Sequence, residues 1–75
     1  MISLQRHKTV TGAWNIFQED QAEGTTDLIG IVAKDDRDVI VIQIEAGTAM
    51  DPDELRQFSQ GIDAAFKLSA NPLKK

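Results

Sequence analysis

The strongest local signal in the chain is the run Met50-Asp51-Pro52-Asp53-Glu54-Leu55, which combines several features that begin an α-helix. Asp51 can cap the helix by accepting a hydrogen bond from a free backbone N–H, and Pro52 suits the first helical position. Glu54 lies three residues after the cap, where its side chain can accept the cap N–H and complete a capping box. The run therefore predicts a helix over residues 52–70 and divides the chain into a β-rich front and one helix.

The residues before this helix carry four segments with the composition of β-strands. The predicted strands are residues 2–10, 13–18, 26–34 and 38–45. The last two are joined by the short connection Asp35-Asp36-Arg37, so they should pair antiparallel. The economical fold is α+β: a four-stranded antiparallel β-meander followed by one C-terminal α-helix packed on one face of the sheet. At 75 residues, the chain is expected to form a single small domain over residues 1–75.

Both faces of the last two predicted strands are apolar. In the fourth strand Ile40, Ile42 and Ile44 form one face, and the other face begins with Val39 and Val41 before Gln43 and Glu45. A sheet with one solvated face alternates apolar and polar residues throughout. One helix covers only one face, so either the sheet is strongly curved or two copies bury their second faces together. A homodimer is the favoured prediction, because an uncovered apolar sheet face promotes association. The residues predicted for this dimer or partner face are Leu28, Val32, Val39 and Val41.

The charge and the lack of cysteine limit the possible classes of function. A net charge of −4 disfavours non-specific binding to nucleic acid or to anionic lipid. Without cysteine, the chain has neither a disulfide framework nor a thiolate metal site. The first residues lack the apolar core of a signal peptide, and no segment is apolar for long enough to span a bilayer. A cytoplasmic protein without a membrane segment is therefore expected.

No combination of residues in the sequence predicts catalysis. His7 is the only histidine, and neither a nucleophile nor an orienting carboxylate is implied beside it. The aspartates of residues 35–38 lack the glycine and the downstream glutamate of a calcium loop, and aspartate is common in hairpin turns. We therefore predict a protein that is not an enzyme, with no cofactor and no metal site.

The most suggestive polar cluster lies on the first predicted hairpin, where basic residues interleave with the only tryptophan. Its members are Arg6, His7, Lys8 and Trp14. Single-stranded nucleic acids are bound by cationic side chains together with aromatic rings on which bases stack. This cluster therefore predicts single-stranded nucleic-acid binding as an alternative function.

The order of the elements resembles the layout of small dimeric single-stranded DNA-binding proteins of the PC4-like class. The runs Met50–Leu55 and Ile62–Phe66 occupy the corresponding helix. The resemblance implies the same alternative, nucleic-acid binding by the first hairpin. The chain departs from that class in its acidic balance, and it has Ala46–Ala49 in the place of a basic run rich in glycine and lysine.

The leading prediction is a small non-enzymatic protein-interaction module. It is expected to be homodimeric and to bind another macromolecule, with a protein preferred over nucleic acid because of the net negative charge. Small accessory, regulatory and inhibitor proteins of bacteria and their phages have this size and character.

Overall fold

The structure, a computed structural model, describes residues 1–68 of the chain. Its elements in chain order are β1 (Ile2–Arg6), β2 (Ala13–Asp20), β3 (Thr25–Lys34), β4 (Ile40–Ile44) and α1 (Pro52–Phe66). Each strand pairs antiparallel with the next, so the sheet is a meander with β1 and β4 at its two edges. The predicted α+β class, with a four-stranded meander followed by one C-terminal helix, is confirmed.

The first strand is shorter than predicted because His7 turns the chain. The Nδ1 atom of His7 accepts hydrogen bonds from the backbone N–H groups of Thr9 (3.2 Å) and Val10 (3.1 Å). These bonds fold the backbone back on itself, so the strand ends at Arg6 rather than at residue 10.

The helix ends earlier than predicted. Lys67 has a left-handed backbone conformation with a φ of 57°, and its N–H donates to the carbonyl of Asp63. This arrangement closes the last turn after Phe66. The predicted helical residues 69 and 70 lie outside the described residues.

The helix begins with the capping box that the sequence predicts. The backbone N–H of Glu54 donates to the Asp51 carboxylate at 2.8 Å, and the N–H of Asp51 donates to Oε1 of Glu54 at 3.2 Å. The second carboxylate oxygen of Glu54 lies 2.9 Å from the amino group of Met1. One turn further, Oε1 of Gln57 accepts the backbone N–H of Ile2 at 2.8 Å. These contacts lay α1 alongside β1.

The ion pair between Glu54 and the Met1 amino group predicts a pH window for stability. The hydrogen bond from that amino group, followed by the bond from the Asp51 N–H, lowers the pKa of Glu54 below its ordinary value of 4.5. The hydrogen bond to Glu54 in turn raises the pKa of the amino group above its ordinary value of 8.0. The carboxylate therefore contributes stability that is present above pH 4.5 and is lost as the pH falls through its lower folded-state pKa. The amino group contributes stability that is complete below pH 8.0 and is lost as the pH rises through its higher folded-state pKa.

Urea unfolding followed by circular dichroism over the full pH range tests this window. We expect the difference in unfolding free energy between the wild type and Glu54→Gln to be largest between pH 4.5 and pH 8.0 and to shrink on either side. Two pH profiles that run parallel throughout would contradict the assignment.

The hydrophobic core lies between α1 and the sheet and is small. Its buried members are Ile2, Ile16, Ile29 and Val32, one or two from each of the first three strands. Side chains of α1 pack against this cluster, but no residue of Pro52–Phe66 is itself buried. The closest contacts of α1 are with β1, so among residues 1–68 the helix covers the β1 side of the core and leaves the β4 side uncovered.

A β-bulge in β3 decides which residues enter the core. Successive residues of β2 pair with Gly30 and then with Leu28, so Ile29 is the extra residue of the bulge. Strict alternation would place Ile29 and Val32 on opposite faces, but the bulge brings both to the helix side. There Ile29 is 6% exposed and Val32 is 0% exposed. This corrects the prediction that placed Val32 on the exposed partner face.

Candidate functional site

Cross-strand pairing assigns the strand residues to two faces of the sheet, because directly paired residues project to the same side. The Leu4 side chain lies against Gly61 of α1, so Leu4 and its paired residues face the helix. Side chains alternate along each strand, so the residues next to these in sequence project to the opposite side of the sheet. We call that side the outer face.

The outer face carries a group of apolar side chains. Leu28, Val39 and Val41 are exposed, and Phe17 and Ile31 are half-buried. Of these, Leu28 is 58% exposed, Val39 46% and Val41 45%. Three of the four residues predicted for a dimer or partner face are therefore at the surface, and the bulge removes only Val32 from this set.

The polar residues of the outer face are neutral or acidic. Gln5, Asn15 and Gln43 lie on the same row of paired residues as Ile31. This part of the face carries a shallow, open concavity lined by Asn15, Ile31 and Gln43. By pairing, Glu19 lies on this face, and within the four described strands no lysine or arginine does. The outer face thus combines apolar side chains with neutral amides and the acidic Glu19.

A second apolar surface lies on the helix side, at the free edge of the sheet. We call it the edge surface; its members are Ile40, Ile42, Ile44, Leu55, Phe58 and Ile62. Ile42 is 46% exposed and Leu55 is 55% exposed. The other four are partly buried, and they pack against the same core cluster from the β4 side and from the helix side. They therefore border the open side of the core.

The predicted nucleic-acid cluster is divided by the fold. Arg6 and Trp14 are brought together on the helix side, where the Arg6 guanidinium carbon lies 5.2 Å from the centroid of the Trp14 ring. Trp14 also packs against the core, so its ring is less open for base stacking than an isolated surface ring. His7 is engaged in its own turn and lines the outer concavity, and Lys8 is an exposed loop residue.

The aspartate run behaves as a hairpin turn. Oδ1 of Asp35 accepts the backbone N–H groups of Val39 and Arg37, each at 2.9 Å. These bonds, the one from Val39 first, hold the pKa of Asp35 below its ordinary value. The oxygens of Asp35 are thus used within the turn, as local hydrogen bonding by aspartate predicts.

Among residues 1–68, no group of three or more histidine, aspartate or glutamate side chains is placed to hold a metal ion. In the same part of the chain, no helix is both long and apolar enough to cross a membrane. No family model matches the chain, and comparisons with curated proteins and with solved structures find no match.

Proposed function

We propose that this protein is a small non-catalytic interaction module that acts as a homodimer and binds another protein through its outer face. The observation that carries the proposal is the exposure of Leu28, Val39 and Val41, from 45% to 58%, on one side of a small sheet. Single exposed apolar residues are ordinary, but a group of them on one face is typical of an interaction surface. The amide row of Gln5, Asn15 and Gln43 supplies polar hydrogen-bonding groups beside this group.

The charge of the outer face indicates the chemistry of the partner. Glu19 lies on the face, Glu45 lines its concave part, and the whole chain carries a net charge of −4. A partner with apolar side chains surrounded by lysine or arginine would complement this surface and would associate faster at low salt. This pattern suits an accessory, regulatory or inhibitor protein of a bacterium or a phage. The proposal keeps the cytoplasmic location that the sequence predicts.

Affinity capture from a lysate of the source cell, with paired variants, tests the proposal. Val41→Glu places a charge within the apolar group of the outer face, and Gln60→Glu adds the same charge on the exposed side of α1. We expect the wild type and Gln60→Glu to capture the same protein. The dissociation constant between the captured protein and Val41→Glu should be at least about tenfold higher than that for the wild type, because the substitution leaves a charge in a desolvated contact. Equal affinity for the two variants, or no partner for the wild type, would contradict outer-face binding.

The alternative function is single-stranded nucleic-acid binding by the first hairpin, with a PC4-like layout. It is favoured by one observation: Arg6, Lys34 and Lys67 line a cavity of about 310 Å³ together with Trp14. Titration of short oligonucleotides at several salt concentrations decides it, because phosphate contacts must strengthen as salt falls. Absence of binding at low salt ends this alternative.

A further inference from the structure

In the described part of the chain, residues 1–68, β4 pairs only with β3 and lacks the features that normally protect a sheet edge. Natural edge strands carry lysine, proline, a bulge or a covering element that prevents pairing with another strand. The strand Ile40–Ile44 reads Ile-Val-Ile-Gln-Ile, without a charge or a proline. The opposite edge differs, because α1 lies along β1 and Gln57 takes up the N–H of Ile2.

The three isoleucines of β4 direct their backbone groups to this open edge. At one end of the strand the N–H of Glu45 donates to the carbonyl of Ile29 at 2.8 Å. At the other end the carbonyl of Val39 accepts the N–H of Asp35 at 2.9 Å. Hydrogen bonding alternates along an antiparallel strand, so the odd-numbered residues bond to β3. The N–H and C=O groups of Ile40, Ile42 and Ile44 consequently point away from β3.

The same isoleucines belong to the edge surface, which also includes the half-covered residues Leu55, Phe58 and Ile62 of α1. An unpaired backbone edge and an open apolar surface therefore occur side by side. A ligand that pairs with this edge must supply a β-strand with apolar side chains on the helix side.

We infer that a second copy of this chain occupies the edge surface by pairing its β4 antiparallel with the first β4. With the two-fold axis at Ile42, Ile40 of each copy lies opposite Ile44 of the other, and each isoleucine pair exchanges two hydrogen bonds. No charged residue lies within Ile40–Ile44, so this pairing opposes no like charges. The result is a continuous eight-stranded sheet with both helices on the same side.

The isoleucine side chains give this strand pair an apolar contact of its own. Ile42 is 46% exposed in the single chain, and in the dimer it lies beside Ile42 of the second copy. Ile40 and Ile44, which are partly buried, lie opposite each other across the same pair.

This inference deepens the homodimeric part of the proposed function and does not depend on partner binding. In the dimer the two outer faces join across the new strand pair and form one larger surface. A dimer without a partner would leave this inference standing, and a monomer that binds a partner would leave outer-face binding standing.

Sedimentation velocity with a matched pair of variants tests the dimer. Ile42 and Val41 are neighbours on β4 with 46% and 45% exposure, but they project to the edge surface and the outer face respectively. We expect wild type and Val41→Glu to sediment at twice the chain mass of 8.3 kDa, and Ile42→Glu to sediment at 8.3 kDa at the same concentration. A monomeric wild type, a dimeric Ile42→Glu, or dissociation by Val41→Glu would each overturn the inference.

Amide hydrogen exchange of the wild type provides a measurement that no folding defect of a variant can obscure. Over about a hundredfold range of protein concentration, exchange at Ile40, Ile42 and Ile44 should slow at least about tenfold as the dimer forms. The amides of Val41 and Gln43, which bond to β3 in the single chain, should change less. The inference would be overturned if the amides of the three isoleucines exchanged as fast as those of exposed loops and at a rate independent of protein concentration.

Discussion

Replacing Val32 by alanine is expected to lower the free energy of unfolding by about 2–3 kcal/mol. The side chain is 0% exposed and lies in the core cluster with Ile16 and Ile29, so the substitution removes two buried methyl groups and leaves a cavity. Val41 pairs with the neighbouring position of β3 and is 45% exposed. The same substitution at Val41 should cost less than about 1 kcal/mol, because much of that side chain is already in water.

Urea unfolding and thermal unfolding of the two alanine variants, at equal protein concentration, provide the comparison. For a domain of this size the loss at Val32 corresponds to a fall in Tm of about 10–20 °C. Equal losses in Val32→Ala and Val41→Ala would mean that the two side chains are equally exposed. That result would mean that Val32 lies on the outer face, and that the bulge does not determine which residues form the core.

Replacing Gly30 by alanine is expected to disrupt the pairing of β3 with β4. A Cβ atom at Gly30 would overlap the carbonyl oxygen of Gln43 and would lie 3.0 Å from the Cα of Ile44. Both are backbone atoms of β4, which cannot rotate away as the end of a side chain does. The strand must shift, and we expect a cost of at least about 1–3 kcal/mol, as for other overpacked sites.

Gly61→Ala is the matched control for this substitution. A Cβ atom at Gly61 would lie 3.1 Å from a terminal methyl carbon of Leu4, which can move by a side-chain rotation. The helix gains about 1 kcal/mol from alanine, so the two effects nearly cancel. Urea unfolding should separate the variants clearly, and amide exchange of Val41 and Gln43 should accelerate only in Gly30→Ala. A Gly30→Ala variant with wild-type stability and protected β4 amides would contradict the close approach of the strands.

The helix start and the meander are predictable from sequence because their determinants are local. Asp51, Pro52 and Glu54 act within one helical turn, and the capping box forms from these residues alone. The short connection after Lys34 likewise specifies an antiparallel hairpin. Such signals do not depend on how the rest of the chain packs.

The division of the apolar residues between faces is not predictable in the same way. It depends on the bulge at Ile29, which is a property of the pairing between β2 and β3 rather than of β3 alone. Gly30 is the nearest sequence signal, since glycine inside an apolar strand indicates a bulge or a close backbone approach. That signal gives the position of an irregularity, but it does not say which neighbouring side chain turns inward.

The edge surface is also missed by sequence analysis, because the lateral position of α1 is set by contacts between distant residues. Gln57 bonds to Ile2 and Glu54 bonds to Met1, and these contacts draw the helix to the β1 side of the sheet. The hydrophobic pattern of the helix predicts an apolar face but not which strands it covers. The lack of charge or proline in the last strand is the one local indication of an edge in need of cover.

The position of the core beneath a helix that has no buried residue of its own has a consequence for how the molecule opens. Detaching α1 would expose the core to water, because the buried side chains of the described residues lie on the strands that α1 covers. The amides of α1 should therefore exchange through an opening that is close in free energy to global unfolding. A second copy that pairs with β4 would stabilise the folded chain, so this exchange would slow as the protein concentration rises.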